Sequence, residues 1–404
     1  MSIPGIRKVT IRNYKSIAAC EVRLQDLTFL VGPNAAGKSN FLDALRFTAE
    51  SLSTSLDHAL RDRGSIKEVR RRSGGHPNHF AIRLDFHLHA DVCGHYAFSV
   101  GAKPAGGFEV RSEECVVSRA MSPNNKAVFH VRSGEVGKTS IERPPASLPD
   151  RLYLVACSGL PEFRPVFDAL RNMQVYNLNP QMIAMMQKPD SVPLLRRDGS
   201  NAASVQQRLT DSAKGNIQKY LSSIAAGVTD VEHATFGTLE TIQFLQRVKG
   251  QQHPWRFMAS SMSDGTLRAY GVLLAIYQTM DTTQGFPAPL TIGLEEPETA
   301  LHPAATSVLL AALRQASRDV QIIVTSHSPD LLDSPDIPIE SLLSVVGDEG
   351  RTKIGRIDKA GREILHKRLF TPGELMRQNQ LSVDEDAVTD VSNEQQLGLF
   401  EYGD

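Results

Sequence analysis

An α/β fold organised around a phosphate-binding strand–loop–helix unit is what this sequence of 404 residues predicts, on three observations. The apolar run Leu27-Thr28-Phe29-Leu30 leads into "VGPNAAGKSN", Val31 to Asn40, and then into a helical pattern at Phe41, Leu42, Leu45, Thr48 and Leu52. Two later apolar runs of strand length, Leu290 to Leu294 and Val320 to Val324, each end in polar residues of catalytic type. From about Phe80 to Arg132, "FAIRLDFHLHA", "HYAFSVGA", "FEVRSEECVVS" and "AVFHVRSG" alternate as antiparallel strands do, with Gly, Pro and Asn turns between them.

The first unit fits G-x-x-x-x-G-K-[ST], with Gly32, Gly37, Lys38 and Ser39 in the fixed places. A chance glycine-rich turn would also read this way, but the strand before it and the helix after it are the context that a phosphate cradle needs. The cradle residues are Gly32, Pro33, Asn34, Ala35, Ala36, Gly37, Lys38, Ser39 and Asn40. Glycines let backbone N–H groups turn inward, and the helix dipole favours the anion. Lys38 adds a charge near the β- and γ-phosphates, and Ser39 is the expected Mg²⁺ ligand.

A net charge of −1 and a pI near 6.9 provide no overall basic field, so any nucleic-acid contact must come from a local patch. Cys20, Cys93, Cys115 and Cys157 form no C-x-x-C pair and no zinc-type spacing, which suggests buried or idle thiols in a reducing compartment. "MSIPGIRKVTIRNYKS" lacks a secretory apolar segment and no run has membrane-spanning length, so a cytoplasmic protein without membrane partners is expected.

The expected units are an N-terminal lobe with the cradle over 1–60, and a basic loop with an antiparallel β insert over 61–150. A helical and loop-rich subdomain over 151–250, a C-terminal lobe over 251–380 and an acidic tail over 381–404 follow. No repeat or low-complexity tract interrupts them. The tail is read either as a disordered end or as a docking peptide around Leu397, Leu399 and Phe400.

Three further segments decide the class. "PLTIGLEEPETALHP" delivers Glu295 and Glu296 at a strand's C-terminal end, where a parallel sheet places its ligand. One carboxylate can hold the Mg²⁺ shell and the next can orient and deprotonate water. "VQIIVTSHSPDLLD" ends a strand in Thr325-Ser326-His327, and His327 there can donate to a γ-phosphate. In "SSMSDGTLRAYGVLLAIY", Ser263, Asp264, Gly265 and Thr266 open a long helix. That is a second anion site in a chain that already has one. It needs a second nucleotide, and the simplest source is a second copy of the chain.

The order of cradle, S-D-G-T, E-E-P-E and T-S-H-S-P-D resembles the ABC-type ATPases of the RecF/SMC branch, in particular compact bacterial "AAA family ATPases". The resemblance spans residues 5–52 and 255–335, and less fully "RRDGSNAASV" and "LFTPGEL". It implies a P-loop head with a mixed sheet, with ATP and Mg²⁺ as cofactors. Walker A is Gly32 to Ser39 and the signature loop, acting in trans, is Ser263 to Thr266. Walker B ends at the metal ligand Glu295, Glu296 is the catalytic base, Thr299 to His302 are the D-loop, and His327 is the switch histidine. Asn179 or Gln181 would serve as the Q-loop. Glu295 stands where most ABC proteins carry Asp, and S-D-G-T replaces S-G-G-Q, as suits this branch better than transporters.

No sustained heptads lie between Ser39 and Met262, which excludes coiled-coil arms, and no clustered D-x-D follows His327, which argues against an intrinsic nuclease. Arg61, Arg63, Lys67, Arg70, Arg71 and Arg72, and likewise Arg196 and Arg197, either track a phosphate backbone or are a solvated face. The leading expectation is an ATP-gated homodimer or higher homo-oligomer in DNA repair or anti-phage defence, with DNA and an effector protein (nuclease or toxin) as possible partners. A slow nucleotide sensor that holds a toxin or nuclease is the alternative. A transporter subunit fits the β-rich insert and S-D-G-T poorly.

Overall fold

The structure, a computed structural model, describes residues 3–73, 77–89, 92–119, 122–278, 288–334, 337–385 and 398–401. Its strands are β1 (Gly5–Tyr14), β2 (Ile17–Arg23), β3 (Leu27–Val31), β4 (His79–His87), β5 (Val92–Ala102), β6 (Phe108–Arg119), β7 (Ser122–Arg132), β8 (Glu135–Thr139), β9 (Gln174–Tyr176), β10 (Val228–Phe236), β11 (Leu239–Gln246), β12 (Trp255–Met258), β13 (Thr291–Glu295), β14 (Gln321–Ser326), β15 (Leu342–Asp348) and β16 (Arg351–Arg356). Among the described residues one sheet runs β8-β7-β6-β5-β4-β1-β2-β16-β15-β3-β14-β13-β9, and a second runs β10-β11-β12.

The first sheet is mixed, as expected, and its two halves follow from their patterning. β15, β3, β14, β13 and β9 are parallel and near-continuously apolar, because helices cover both of their faces. β4 to β8 alternate and pair antiparallel. They do not stand apart from the first lobe: β4 pairs directly with β1, so the insert prolongs the head's own sheet. Residues 151–250 hold helices, among them Arg164–Arg171 and Asp211–Ile224, and also the strands β9, β10 and β11. Along β11, Ile242 and Phe244 enter the core while Gln243 and Leu245 are only half-buried, the alternation of a strand with one apolar face.

Helix Lys38–Ser53 lies between the two halves. Its Phe47 meets Tyr14 and Phe80 edge-on, with ring centroids 5.9 and 5.4 Å apart, which ties the cradle helix to β1 and β4. Helix Asp264–Tyr277 is buried from Leu267 to Tyr277 and packs against helices Asp211–Ile224 and Pro303–Ala316. No helix of the described residues is long and apolar enough to cross a membrane. Cys20, Cys115 and Cys157 are buried, Cys93 is half-buried, and none forms a disulfide.

The basic cluster after the first helix is turned inward only in part, since Lys67, Arg61 and Arg72 are exposed. Arg63 is only 4% exposed at its side chain and bonds Asp43 and Glu50. Burial alone would raise the Asp43 carboxyl, but Arg63 and Lys15 outweigh it and hold the group well below the carboxylate range. Arg61 pairs with Asp57, Arg72 with Glu68, Arg70 donates to Pro77 O, and Arg71 is buried. Of the two acids that interrupt the run in sequence, Glu68 pairs with Arg72 and Asp62 lies 3.3 Å from His58, while Arg61 and Arg63 find their partners outside it.

Candidate active site

Parallel register brings the predicted groups to one edge. Glu295 stands beside Thr325, Thr325 beside Leu30, and Ser326 beside Val31. The residues that follow, Gly32, Glu296 and His327, therefore leave three neighbouring strands at the same C-terminal end, the ligand side of such sheets. β9 ends one strand further out, so Asn179 and Gln181 emerge from that edge too. Asn179 caps its short helix by accepting from Gln181 N at 2.9 Å.

The cradle is built as its glycines require. Gly37 has φ 104°, and a Cβ there would sit 2.0 Å from Thr352 Oγ1, so only glycine fits. Gly37 is also the N-cap of helix Lys38–Ser53 and supplies no side chain, which leaves the first-turn N–H groups open to an anion. Thr352 Oγ1 donates to Ala36 O at 2.8 Å, and Asn40 Nδ2 donates to Ser16 Oγ at 2.6 Å. Asn40 thus props the loop, with its side chain turned to β16 and the β1–β2 turn. Pro33, Asn34, Ala35 and Ser39 are exposed.

Lys38 Nζ donates to Gly32 O and Pro33 O, both at 2.9 Å, folding back into its own loop. Burial lowers its pKa, while Glu296 and Glu298 act to raise it.

Glu296 sits at φ 45°, in the left-handed region that non-glycine residues rarely adopt. It is pinned on both sides: its N–H donates to Thr325 O at 3.0 Å, and its carbonyl accepts from Arg268 Nη2 at 2.9 Å. Strain held by surrounding bonds is a mark of functional sites. His327 Nδ1 lies 3.0 Å from Glu296 Oε1, within ion-pair distance, although the angle is not that of a hydrogen bond.

Three residues at this edge were not among the site residues expected from the sequence. Arg268, in "DGTLR", is buried and also donates to Leu178 O at 2.6 Å and Glu295 O at 2.9 Å, so the helix behind the signature loop is locked to the ends of β9 and β13. Glu298, the last acid of "EEPE", is 6% exposed and accepts from Ser326 Oγ, while its Oε2 is buried without a partner. Burial pushes its pKa up. Arg197, first read as a phosphate-tracking candidate, donates to Glu295 Oε1 at 2.7 Å, and Arg196 pairs with Asp190. The acids in "EEPE" are visible in sequence, but the two arginines carry no local signal.

The signature loop is exposed at Ser263 and Asp264. Ser263 Oγ accepts from Thr266 N at 3.3 Å, an ordinary N-cap. A Cβ on Gly265 would stand 2.4 Å from Ala300 O, so this glycine lets the loop pack on the D-loop of its own chain.

No cluster of three or more acid, histidine or cysteine side chains able to hold a metal occurs among the described residues. Mg²⁺ carried in with phosphates would take one or two protein carboxylates and keep much of its water. Glu295, the Ser39 hydroxyl and the unpartnered Glu298 oxygen are the donors at hand.

Residues 5–113 match the family model "AAA ATPase domain", and residues 188–333 match "AAA domain, putative AbiEii toxin, Type IV TA system". The chain is 28% identical over 134 residues to the Chromosome partition protein Smc of Aquifex aeolicus, covering 32% of this chain and 10% of that protein. It is 24% identical over 140 residues to Structural maintenance of chromosomes protein 4 of Caenorhabditis elegans, covering 34% of this chain and 8% of that protein. The matched stretch is thus about a tenth of each relative's length.

Among solved structures it resembles an SmcHead bound to the C-winged helix domain of ScpA, with a TM-score of 0.54, 12% identity, and coverage of 89% of this chain and 100% of that one. It also resembles an Smc head domain with an extended coiled coil, bound to the C-terminal domain of ScpA derived from Pyrococcus furiosus, with a TM-score of 0.54, 11% identity, and coverage of 91% and 100%. At such identities these two likenesses concern the fold. The chain thus matches AAA ATPase family models in two separate stretches and has the fold of SMC head domains over most of its length.

Proposed function

We propose that the chain binds ATP with Mg²⁺, hydrolyses it to ADP and phosphate, and pairs with a second copy while ATP is bound. The observation that carries this reading is the convergence of Gly32–Ser39, Glu296 and His327 on one sheet edge, with Glu296 held in a strained backbone conformation.

In this reading the cradle N–H groups and Lys38 hold the β- and γ-phosphates, which draw Lys38 Nζ away from Gly32 O and Pro33 O. Glu296 accepts the proton of the attacking water. His327, beside it, donates to the γ-phosphate and reports its loss. Mg²⁺, when bound, neutralises charge on the phosphate oxygens. Ser263 and the N–H groups opening helix Asp264–Tyr277 cap the γ-phosphate of a partner's ATP, and Arg268 passes that contact to Glu295 and Glu296.

The work we assign to this cycle is a switch in anti-phage defence that holds or releases an effector of nuclease or toxin type. The family description that matches residues 188–333 supports this over DNA repair, as does the burial of Arg63 on Asp43 and Glu50, which removes one cation from the basic cluster. A cytoplasmic setting suits four cysteines without a disulfide. A slow nucleotide sensor is the second reading, favoured by Arg197, which holds Glu295 in the resting chain.

Light scattering of Glu296→Gln with and without ATP tests the proposal. A doubled mass on adding ATP is expected, and an unchanged mass refutes ATP-driven pairing unless the chain is already oligomeric without ATP. Mixing Lys38→Ala with Ser263→Arg covers that case. Composite sites predict partial recovery of turnover in the mixture, and proven mixing without recovery refutes them.

A further inference from the structure

The half of the sheet built by β4 to β7 has one apolar face and one polar face, and its polar face carries a seated peptide. Alternation sends Phe80, Ile82 and Leu84 into the core with Tyr96 and Phe98. Register then aligns Arg83, Ala97, Glu114 and His130 across the other side, with Ala81 one pair away. Glu114 is nonetheless fully buried, and His95, whose Nε2 lies 2.6 Å from Glu114 Oε1, is nearly so.

Residues 398–401 lie over this face. Leu399, 8% exposed, packs on Ala19 and Ala81, whose small side chains leave it room. Arg83 Nη1 donates to Gly398 O at 2.9 Å and Leu399 O at 3.3 Å, and Glu401 N donates to Glu114 Oε1 at 2.7 Å. The Phe400 ring lies 6.4 Å from that of His130. A guanidinium reading carbonyls, a carboxylate reading an N–H and a two-alanine seat for leucine are the parts of a peptide-recognition site. Leu397, the third residue of the expected docking peptide, lies outside the described residues.

Four residues with one buried apolar side chain form a weak ligand by themselves. Twelve residues of chain lie between Glu385 and Gly398, a reach of at most about 45 Å, and a tether of that order places the peptide at roughly millimolar effective concentration.

We propose that the polar face of β4 to β7 is a peptide-binding site whose ligand is the chain's own C-terminal segment around Leu399 and Phe400, tethered and exchangeable. The seat reaches as far as Ala19 on β2, and β16 and β15 separate that strand from the cradle strand β3, so the site is distinct from the nucleotide edge.

The test uses a fluorescein-labelled synthetic peptide of residues 395–404, titrated into full-length chains and read by polarisation. Leu399→Asp combined with Phe400→Asp unseats the resident tail, and that variant is expected to bind the peptide saturably. The unsubstituted chain should bind it about tenfold more weakly, because its own tail competes. Adding Arg83→Ala to the tail variant should remove about tenfold in affinity, since two carbonyl contacts are lost. ATP binding, unchanged in every variant, certifies folding. Equal binding by tail-bearing and tail-released chains overturns the proposal. So does no binding up to several millimolar peptide, or equal binding of a scrambled peptide.

Discussion

Arg197 Nη2 donates to Glu295 Oε1 at 2.7 Å, across 98 residues of sequence, so the proposed metal carboxylate carries a cation of the chain's own before any nucleotide arrives. The arginine is 43% exposed, which limits the pair to about 1 kcal/mol or less. Arg197→Ala should therefore lower the Mg²⁺ concentration for half-maximal ATP binding by roughly two- to fivefold. A Mg²⁺ titration with a fluorescent ATP analogue reads this, and an unchanged or raised requirement would show that Arg197 does not compete for the carboxylate.

Glu296→Gln removes the proposed proton acceptor and leaves the cradle intact. Turnover should fall by about 10²- to 10⁴-fold while ATP affinity changes little. Full turnover would move the base elsewhere, with Glu295 and the buried Glu298 the carboxylates nearest to hand.

Arg268 is a positioning residue, since it reaches the backbone of Glu295 and Glu296 and leaves their carboxylates free. Arg268→Ala leaves buried carbonyls unpaired, at a cost of roughly 1–3 kcal/mol in stability. It should reduce kcat more than it raises KM, because Glu296 loses the bond that fixes its left-handed backbone. Arg268→Lys should restore stability better than kcat, as one ammonium cannot span three carbonyls. Parallel losses in stability and kcat for both variants would reduce the residue to a packing role.

Gly265→Ala forces a Cβ against Ala300 O, at a 2.4 Å approach that backbone cannot relieve cheaply. Nucleotide binding by the single chain should survive, with ATP-dependent pairing and turnover lost together. Retained pairing would mean that the D-loop tolerates displacement.

The Glu113 carboxyl is buried among Tyr96, Tyr153 and Leu154, and burial pushes its pKa from 4.5 up to about 7 against three donors that act to lower it. A carboxyl raised by folding binds its proton more tightly in the native state. Its stabilisation is complete below about 4.5 and is lost as pH rises through about 7, to an extent of order 3 kcal/mol. Urea midpoints measured from pH 4.5 to 8 should fall with pH in the unsubstituted chain and more shallowly in Glu113→Gln. Equal slopes would assign the pH dependence to other groups.

What sequence by itself determined are the features whose physics is local. Backbone turn chemistry requires Gly32 and Gly37 around a cradle, strand periodicity marks β3, β13 and β14, and a helix start needs the cap that Ser263 provides. Parallel pairing then leaves one edge for Glu295, Glu296 and His327, so the candidate site was legible as a set. Tertiary structure alone decided which charges meet. Arg63 sinks onto Asp43, Arg197 crosses to Glu295, Arg268 reaches carbonyls on two strands, and the tail finds Arg83 and Glu114. A long charged side chain has no periodicity that announces its partner. Its place is set by whichever buried acceptor the packed sheet leaves within reach, and that is a property of the fold rather than of the neighbouring residues.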